Sequence, residues 1–590
     1  MTQSSHRPDH PADTNRSLAT QGRLAARSVA PGTMPRPCCY PAVMPPARPC
    51  TVALVGTEHG ENLSLRYLAA AVRQRGLTPL IVSLNDSQEH ERSLQAVLDS
   101  KAILCGISLA FQLRAAELLG FASELRARGY GGHICVGGHF ATLEHEALLR
   151  GFPAVDSVVR HDGEVTLGEL CELVRAGQQL RPLPGLVIRE GASIVLGPPR
   201  RSEKLDDLPF PLRSPAASLV FDVRGAPLIA SRGCYGECAF CCIHAYNRTA
   251  SGPRYRMRSV DNLVTEMKQE HAERGVRLFV FHDDNFFVPS LAANLERCRA
   301  LQVAMRRLGL DDIALVLKCR PNDVDAELFG LLREMGLIRA YVGVETQSSE
   351  GIASLNRRTG PNDNARALSI LAELGIYHSF NMLLFHPEAT LQGVVSEVDF
   401  LAAHAEVPFS FGRTEVYAGT PLWQTLTSQR RLRGTYLAWS YDIADPQVEL
   451  LFRIAAVAFR SRNSGLDDVA NLNASFRLEY EVFERFHPEL VQPGERERLA
   501  QLSLEIGLDS VAALREAIGY VRTADPSDAD PIGDFALELG RRISAADVRY
   551  LSVLRGWRRS LHDRLASAPR PELGSIHHLL AERRTDHNDD

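Results

Sequence analysis

From Thr51 onward the chain reads as short, continuously apolar runs separated by longer amphipathic segments. The first series is "TVALVGT" (51–57), "TPLIVSL" (78–84), "AILCGISL" (102–109), "HICVGG" (133–138) and "DSVVRH" (156–161), with helical periodicity over 61–75 and 113–128. Strands that are apolar on both faces and alternate with amphipathic helices predict a parallel sheet covered on both sides. Residues 51–177 therefore read as one doubly wound, Rossmann-like α/β domain, with its ligand crevice outside the carboxyl ends of the strands. A proline-rich linker over 178–225 carries a β-hairpin signal in "GLVIREGASIVLG". The second series follows: "APLIASRG" (226–233), "LFVFHDDNF" (278–286), "ALVLKCR" (314–320), "IRAYVGVET" (338–346), "SFNMLLF" (379–385) and "FGRTEVYAG" (411–419). Six strands are too few for a closed eight-stranded barrel, so 226–425 predict an open, partial (β/α)6 barrel with its site at the strand carboxyl ends. After Trp423 the strand pattern stops, and 426–590 read as a helical C-terminal domain ending in a polar tail. Residues 1–50, rich in Pro, Ser, Arg and Thr, show no periodicity and read as a disordered tail.

Composition narrows the class without choosing a function. At 590 residues, 45% hydrophobic and 23% charged, the chain has the makeup of a multi-domain globular protein. A net charge of −5 offers no basic field for nucleic acid or an anionic membrane surface. No apolar run approaches the roughly 18 residues of a membrane span, and no apolar signal segment follows Met1. The twelve cysteines are therefore expected to be thiols or metal ligands in a reducing cytoplasm.

Four of those cysteines fall within nine residues, in "SRGCYGECAFCC" (231–242), just after the first strand of the partial barrel. Disulfides between such close neighbours would close small, strained rings. Cys234, Cys238 and Cys241 form a C-x3-C-x2-C triplet on one loop. A closed zinc site wants four ligands, and no second C-x2-C or H-x3-H pair stands at zinc-finger distance. An iron–sulfur cube held by three thiolates keeps one iron open for a small molecule. Cys242 is expected to point away from Cys241 and reads as packing, or at best as a fourth-ligand candidate.

This triplet, with Phe240 just before its third cysteine, resembles the radical S-adenosylmethionine (SAM) superfamily. The resemblance implies a [4Fe–4S] cluster whose open iron chelates the amino and carboxylate groups of SAM, so that one-electron reduction yields a 5'-deoxyadenosyl radical. It implies further that Phe240 lies against the adenine, that Asp283 and Asp284 contact the SAM amine, and that Glu345 contacts ribose or carboxylate. Lys318, on a strand between Leu317 and Cys319, needs a partner or a cavity and is read as a SAM-site residue. "VYAGTPL" (416–422) resembles the sixth-strand ending of this superfamily.

The preceding α/β domain resembles the cobalamin-binding domain of class B radical SAM enzymes, on "VGGHFAT" after its fourth strand and "RHDGEVTL" after its fifth. The resemblance assigns Ser108, Leu109, Gly137, Gly138, His139 and Glu164 to cobalamin binding, with Gly137 and Gly138 allowing close approach of its nucleotide tail. Proteins that place a histidine under cobalt carry D-x-H-x-x-G in the first βα loop; here the aligned residues are Thr57, His59 and Asn62. With no Asp to orient the imidazole, cobalt is expected to lack His ligation, and Arg66 is expected below the ring. An RNA-modifying methylthiotransferase would need further cluster cysteines, but Cys105, Cys135 and Cys171 lie inside apolar elements. A non-catalytic sensor leaves the SAM-type strand ends without a purpose. The resemblance, over roughly 51–425, implies a cobalamin-dependent radical SAM C-methyltransferase. Its substrate would be a small molecule, amino acid or peptide of natural-product biosynthesis, and a flavodoxin or ferredoxin would donate electrons. Rearrangement or cyclisation is the alternative chemistry for the same cofactors.

Overall fold

The computed structural model describes residues 50–568 except 201–203, 361, 464 and 466. The expected N-terminal and C-terminal tails lie outside the described residues, apart from Cys50. The first series forms β1 (Thr51–Gly56), β2 (Thr78–Ser83), β3 (Leu104–Ser108), β4 (His133–Gly137) and β5 (Ser157–Val159), all parallel in the order β2-β1-β3-β4-β5. Helices Leu63–Gln74 and Glu164–Arg175 cover one face through Leu65, Val72, Leu167 and Leu170. Helices His90–Ser100 and Ala115–Ala127 cover the other through Leu94, Val97, Leu118 and Phe121. This is the expected doubly wound domain. The strand order reverses between β1 and β3, which puts the ligand crevice outside the carboxyl ends of those two strands. The linker hairpin, β6 (Leu186–Glu190) and β7 (Ser193–Leu196), joins the same sheet by pairing antiparallel with β5.

The second series forms an open sheet. β8 (Ser218–Val220) and β9 (Val223–Leu228) make a hairpin, and β12 (Val276–Phe281), β13 (Ala314–Cys319), β14 (Leu337–Glu345), β15 (Tyr377–Phe385) and β16 (Phe409–Arg413) follow it in parallel. The order β16-β15-β14-β13-β12-β9-β8 leaves both edges open, so this is a half-barrel. One expectation needs correction: 226–233 is two strands. β9 ends at Leu228, and β10 (Ser231–Gly233) turns away to pair antiparallel with β11 (Tyr255–Met257).

The C-terminal region is helical, with helices Pro446–Ala458, Val469–Phe486, Glu495–Val521 and Ala529–Ser567. It also contains a hairpin that its short alternation did not announce, β17 (Leu432–Thr435) and β18 (Ala438–Tyr441). The tip of this hairpin reaches back to the first domain. Tyr436 and Leu437 pack on that domain's core, and the Trp439 indole donates to Glu144 at 3.0 Å. Inside the half-barrel, Val223, Leu278, Ala314 and Val316 cluster with Val482 of the helix Val469–Phe486, which fills the amino-terminal half of the bore.

Two buried charge networks lock the first domain to the second. Glu61, in the loop after β1, accepts from Arg213 at 2.8 Å, from Arg274 at 2.8 Å and from the Ser214 amide at 2.7 Å. Glu266, Glu270 and Arg258 complete this network. Across the other end, Arg232 meets Glu164 at 2.6 Å and Arg256 meets Asp162 at 2.6 Å. Burial would raise the Glu61 pKa, but the Ser214 amide and the Arg213 and Arg274 guanidiniums outweigh it and hold the carboxyl below its usual range. Glu61→Gln leaves the arginines with excess buried charge and is expected to cost about 3–5 kcal/mol, read as a fall in Tm. A depressed folded pKa contributes stability above the unfolded value and loses it as pH falls. The gap between wild type and Glu61→Gln should therefore close in acid; a gap that stays constant with pH would contradict the assignment.

Candidate functional site

The cysteine loop leaves β10 and runs into helix Cys242–Thr249, with Cys241 as the helix cap. Gly233 has φ +91°, and a Cβ there would lie 2.0 Å from the Arg254 carbonyl oxygen, so only glycine lets the loop depart at this point. Both aspartates at the end of β12 hold the base of the loop. Asp283 accepts from the Ala230 amide at 3.0 Å and from the Ser231 hydroxyl, and burial pushes its carboxyl up to about 6. Asp284 accepts from the Gly233 amide at 3.0 Å while remaining exposed. Asp283 thus spends its oxygens on the loop, and of the two it is Asp284 that faces open space.

Each sulfur of the triplet meets nitrogen donors. Cys234 Sγ accepts from the Gly236 amide at 3.2 Å. Cys238 Sγ accepts from Arg320 Nη1 at 3.3 Å and Arg357 Nη1 at 3.1 Å. The Ile243 and His244 amides face Cys241 at the start of the helix. Burial nevertheless pushes the Cys234 thiol up to about 11 and the Cys241 thiol well above its usual range. Sulfurs with donors aimed at them, in a setting that disfavours bare thiolates, fit ligands that ionise when iron arrives. Among the described residues no three His, Cys, Asp or Glu side chains converge to hold a single metal ion. A cube places each thiolate on a separate iron. Cys242, the first helical residue, is also half-buried, and burial lifts its thiol to about 12.

The carboxyl-terminal half of the bore is polar. Lys318 shares a strand face with Ala314 and Val316 and is exposed, although Leu317 and Cys319 beside it are 1% and 4% exposed. The open bore is the cavity that a strand lysine needs.

 Its inward neighbour His282 faces the same bore, where desolvation and then the Lys318 charge lower its imidazole to about 4. Glu345 ends β14 with φ +65°, a left-handed backbone that a non-glycine residue adopts at a cost. Burial raises its carboxyl, which the Arg357 charge and a hydrogen bond from Asn381 oppose. Phe240 is half-buried against the second domain's core.

The first domain's expected residues divide. Gly138 has φ +109°, and a Cβ there would sit 2.7 Å from the Leu109 carbonyl oxygen, so the approach of β3 already requires glycine. Gly137 lies close to the Val159 carbonyl, and the Leu109 side chain is fully buried, leaving only its backbone to meet a ligand. Ser108 is half-buried at the end of β3. His139 packs its ring on Tyr246, which follows the cysteines, at 4.6 Å, and His161 meets the same tyrosine at 5.1 Å. Glu164 and Arg66 both have protein partners. Glu164 pairs through Oε1 with Arg232 and so fastens the domains, while its buried Oε2 has no hydrogen-bond partner among the described residues. Arg66 forks onto Glu58 and the Leu212 carbonyl, so its charge is already neutralised. His59 is exposed, and among the described residues no carboxylate orients its ring. Asn62 instead closes the loop by donating to the Thr57 carbonyl at 2.7 Å. Cys105 lies on one face of the first sheet and Cys135 and Cys171 on the other, so the three are core thiols.

Next to the β1–β3 crevice, the loop after β3 exposes Phe111 (60%) and Leu113 (88%). Large apolar side chains left open beside a crevice of this kind fit the broad, flat face of a cobalamin ring. The Radical SAM superfamily model matches residues 228–401, and the B12 binding domain model matches residues 50–171. The chain belongs to the cobalamin-dependent radical SAM enzymes. It is 25% identical over 418 residues to an uncharacterized methyltransferase of Pyrococcus horikoshii, spanning 69% of this chain and 87% of that one. It is 24% identical over 338 residues to the hopanoid C-3 methylase of Methylococcus capsulatus, spanning 55% of this chain and 61% of that one. Its fold matches the cobalamin-dependent S-adenosylmethionine radical enzyme OxsB with aqua-cobalamin bound, at a TM-score of 0.63 and 15% identity, over 90% of this chain and 83% of that one. The cofactors of this radical SAM enzyme are accordingly a [4Fe–4S] cluster, SAM and cobalamin.

Sequence reasoning missed Arg320, Arg357, Tyr246, His161, Phe111 and Leu113. Arg320 directly follows Cys319 at a strand end, a position where charge signals a site, whereas Arg357 comes from a loop with no such signal. Anaerobic reconstitution should load one cube, read as bound iron and sulfide. Single changes of Cys234, Cys238 or Cys241 to Ala should abolish it, and Cys242→Ala should not. Loss of the cube in Cys242→Ala alone would overturn the ligand assignment.

Proposed function

We propose that this chain is a cobalamin-dependent radical SAM C-methyltransferase. Its substrate in this reading is a small-molecule, amino-acid or peptide intermediate of natural-product biosynthesis. The observation that carries the reading is the apposition of the two sites. Helix Cys242–Thr249, which starts at the cysteine loop, packs on helix His139–Leu143 at the carboxyl end of β4. The crevice of the first sheet and the bore of the half-barrel therefore open toward a common space, where a substrate can meet both cofactors. Bound there, the cluster and cobalamin supply reductive cleavage of the SAM sulfonium and carriage of a methyl group on cobalt.

The protein's own residues do the rest. Phe240, Asp284, Lys318 and Glu345 line the SAM and substrate side, while Ser108, Phe111, Leu113 and His139 line the cobalamin side. Val482 and its neighbours close the far end of the bore with apolar side chains and keep water from entering there. The half-barrel holds a polar, lysine-bearing upper bore, which suits a substrate with polar groups. Among the described residues no helix is long and apolar enough to cross a membrane. In our reading the enzyme works in the cytoplasm, takes single electrons from a flavodoxin or ferredoxin and binds no nucleic acid.

The test supplies methyl-deuterated SAM with candidate substrates and quantifies both nucleoside products. Label in the product establishes methyl transfer. S-adenosylhomocysteine and 5'-deoxyadenosine released in step mark attack on an unactivated carbon, and S-adenosylhomocysteine alone marks a nucleophilic acceptor. Substrate converted without label, with only 5'-deoxyadenosine formed, would reject methyl transfer and establish rearrangement or cyclisation.

A further inference from the structure

Arg320 and Arg357 are 7% and 4% exposed, and among the described residues no carboxylate pairs with either at salt-bridge distance, although the Glu345 charge acts on both and the Asp323 charge on Arg320. Buried guanidiniums with no carboxylate in direct contact are costly, which favours an anion held beside them. Their geometry names it. Each points Nη1 at Cys238 Sγ, at 3.3 and 3.1 Å. Each fixes Nη2 on a backbone carbonyl, Arg320 on that of Arg357 and Arg357 on that of Gly343. The Arg320 guanidinium also lies 5.6 Å from the centre of the Tyr235 ring, which limits its freedom to turn away. Gly236 makes room for it, since a Cβ at that position would stand 2.6 Å from Arg320 Nη1. Of the three triplet sulfurs, Cys238 alone receives two charged side-chain donors; Cys234 and Cys241 face backbone amides.

We propose that Arg320 and Arg357 are positioning residues that raise the reduction potential of the cluster through the sulfur of Cys238. This rests on the cluster reading above. In the step concerned, one electron from an external low-potential donor converts the cube from its 2+ to its 1+ core, and no bond is made or broken. The added negative charge spreads onto the ligand sulfurs. Fixed positive donors on one of those sulfurs stabilise the reduced form more than the oxidised form, and hydrogen bonds to the sulfurs are among the terms that set cluster potentials. Cys238 becomes the ligand on which the protein favours extra electron density.

The experiment is an anaerobic redox titration of the full-length, reconstituted protein without SAM, with the reduced cluster followed by electron paramagnetic resonance. At a fixed potential, Arg357→Gln and Arg320→Gln should each lower the ratio of reduced to oxidised cluster about tenfold, a shift of ~59 mV to more negative potential for one electron. Arg357→Lys keeps a charge and a donor, so it should recover part of the shift. Gly236→Ala removes no charge but pushes the Arg320 guanidinium away from its place, and should shift the potential in the same direction by less. The last two variants carry the test if a Gln variant assembles no cube. Full iron and sulfide content with unchanged potential in all variants would overturn the proposal. A change that appears only after SAM is added would overturn it too, by assigning the arginines to the SAM carboxylate. Failure of the wild type to assemble a cube would instead sink the cofactor reading itself, so the two failures are distinguishable.

Discussion

Asp162 and Glu164, just past the carboxyl end of β5, are buried and meet the buried Arg256 and the half-buried Arg232. The two arginines are direct cross-strand partners in the β10–β11 ribbon, a placement that is repulsive for like charges. The carboxylates of the first domain relieve that repulsion, so the ribbon and the first domain stabilise each other. The Glu61 network does the same at the β1 end with Arg213 and Arg274. Breaking either set strands buried charge, which is why such pairs enforce one docking geometry more strictly than apolar contact alone would. That geometry fixes the distance between the crevice and the cysteine loop.

The second consequence concerns the shape of the bore. An open sheet cannot fill its own interior, and the helix Val469–Phe486 supplies what a closed barrel would provide with side-chain layers. Apolar packing from Val482 ends where the strands turn polar, so the bore is dry at one end and lined by Lys318, His282 and Glu345 at the other. The β17–β18 hairpin acts from outside. Its Trp439 and Tyr436 hold the first domain at Glu144 and on that domain's core. The C-terminal region thus shapes both the substrate space and the docking of the domains.

Much of this was legible in the sequence because it rests on local periodicity. The strands of both sheets are short apolar runs with few alternatives, and the cysteine triplet is a spacing that few other structures need. The departures arise where long-range contact decides. Glu164 looked like a ligand at a helix start, yet its partner Arg232 is distant in sequence, and no local pattern reveals a buried ion pair. Arg66 likewise gains its partner Glu58 only once the loop after β1 has folded back. Gly138 drew attention for the right property, its backbone freedom, although the neighbour that demands it is the Leu109 carbonyl. The β17–β18 hairpin is too short to rise above noise, and its register is fixed by Gly434 at φ +81° together with its contacts to the first domain.

The cysteine loop is where these constraints meet. Arg232 reaches Glu164 with its side chain while its backbone pairs with Arg256, and it lies two residues before Cys234. The loop therefore leaves a ribbon that is already fastened to the cobalamin domain. Asp283 and Asp284 fasten its base to the end of β12, and Arg320 and Arg357 fasten Cys238 to the ends of β13 and β14. A loop held from three elements has little freedom to gather its sulfurs around a single ion, and its donors are distributed over separate sulfurs. Because the first of those fastenings is also the domain interface, a change that loosens the docking of the cobalamin domain also loosens the seat of the cluster. The placement of the two cofactor sites is in this sense one structural decision, made by buried charge.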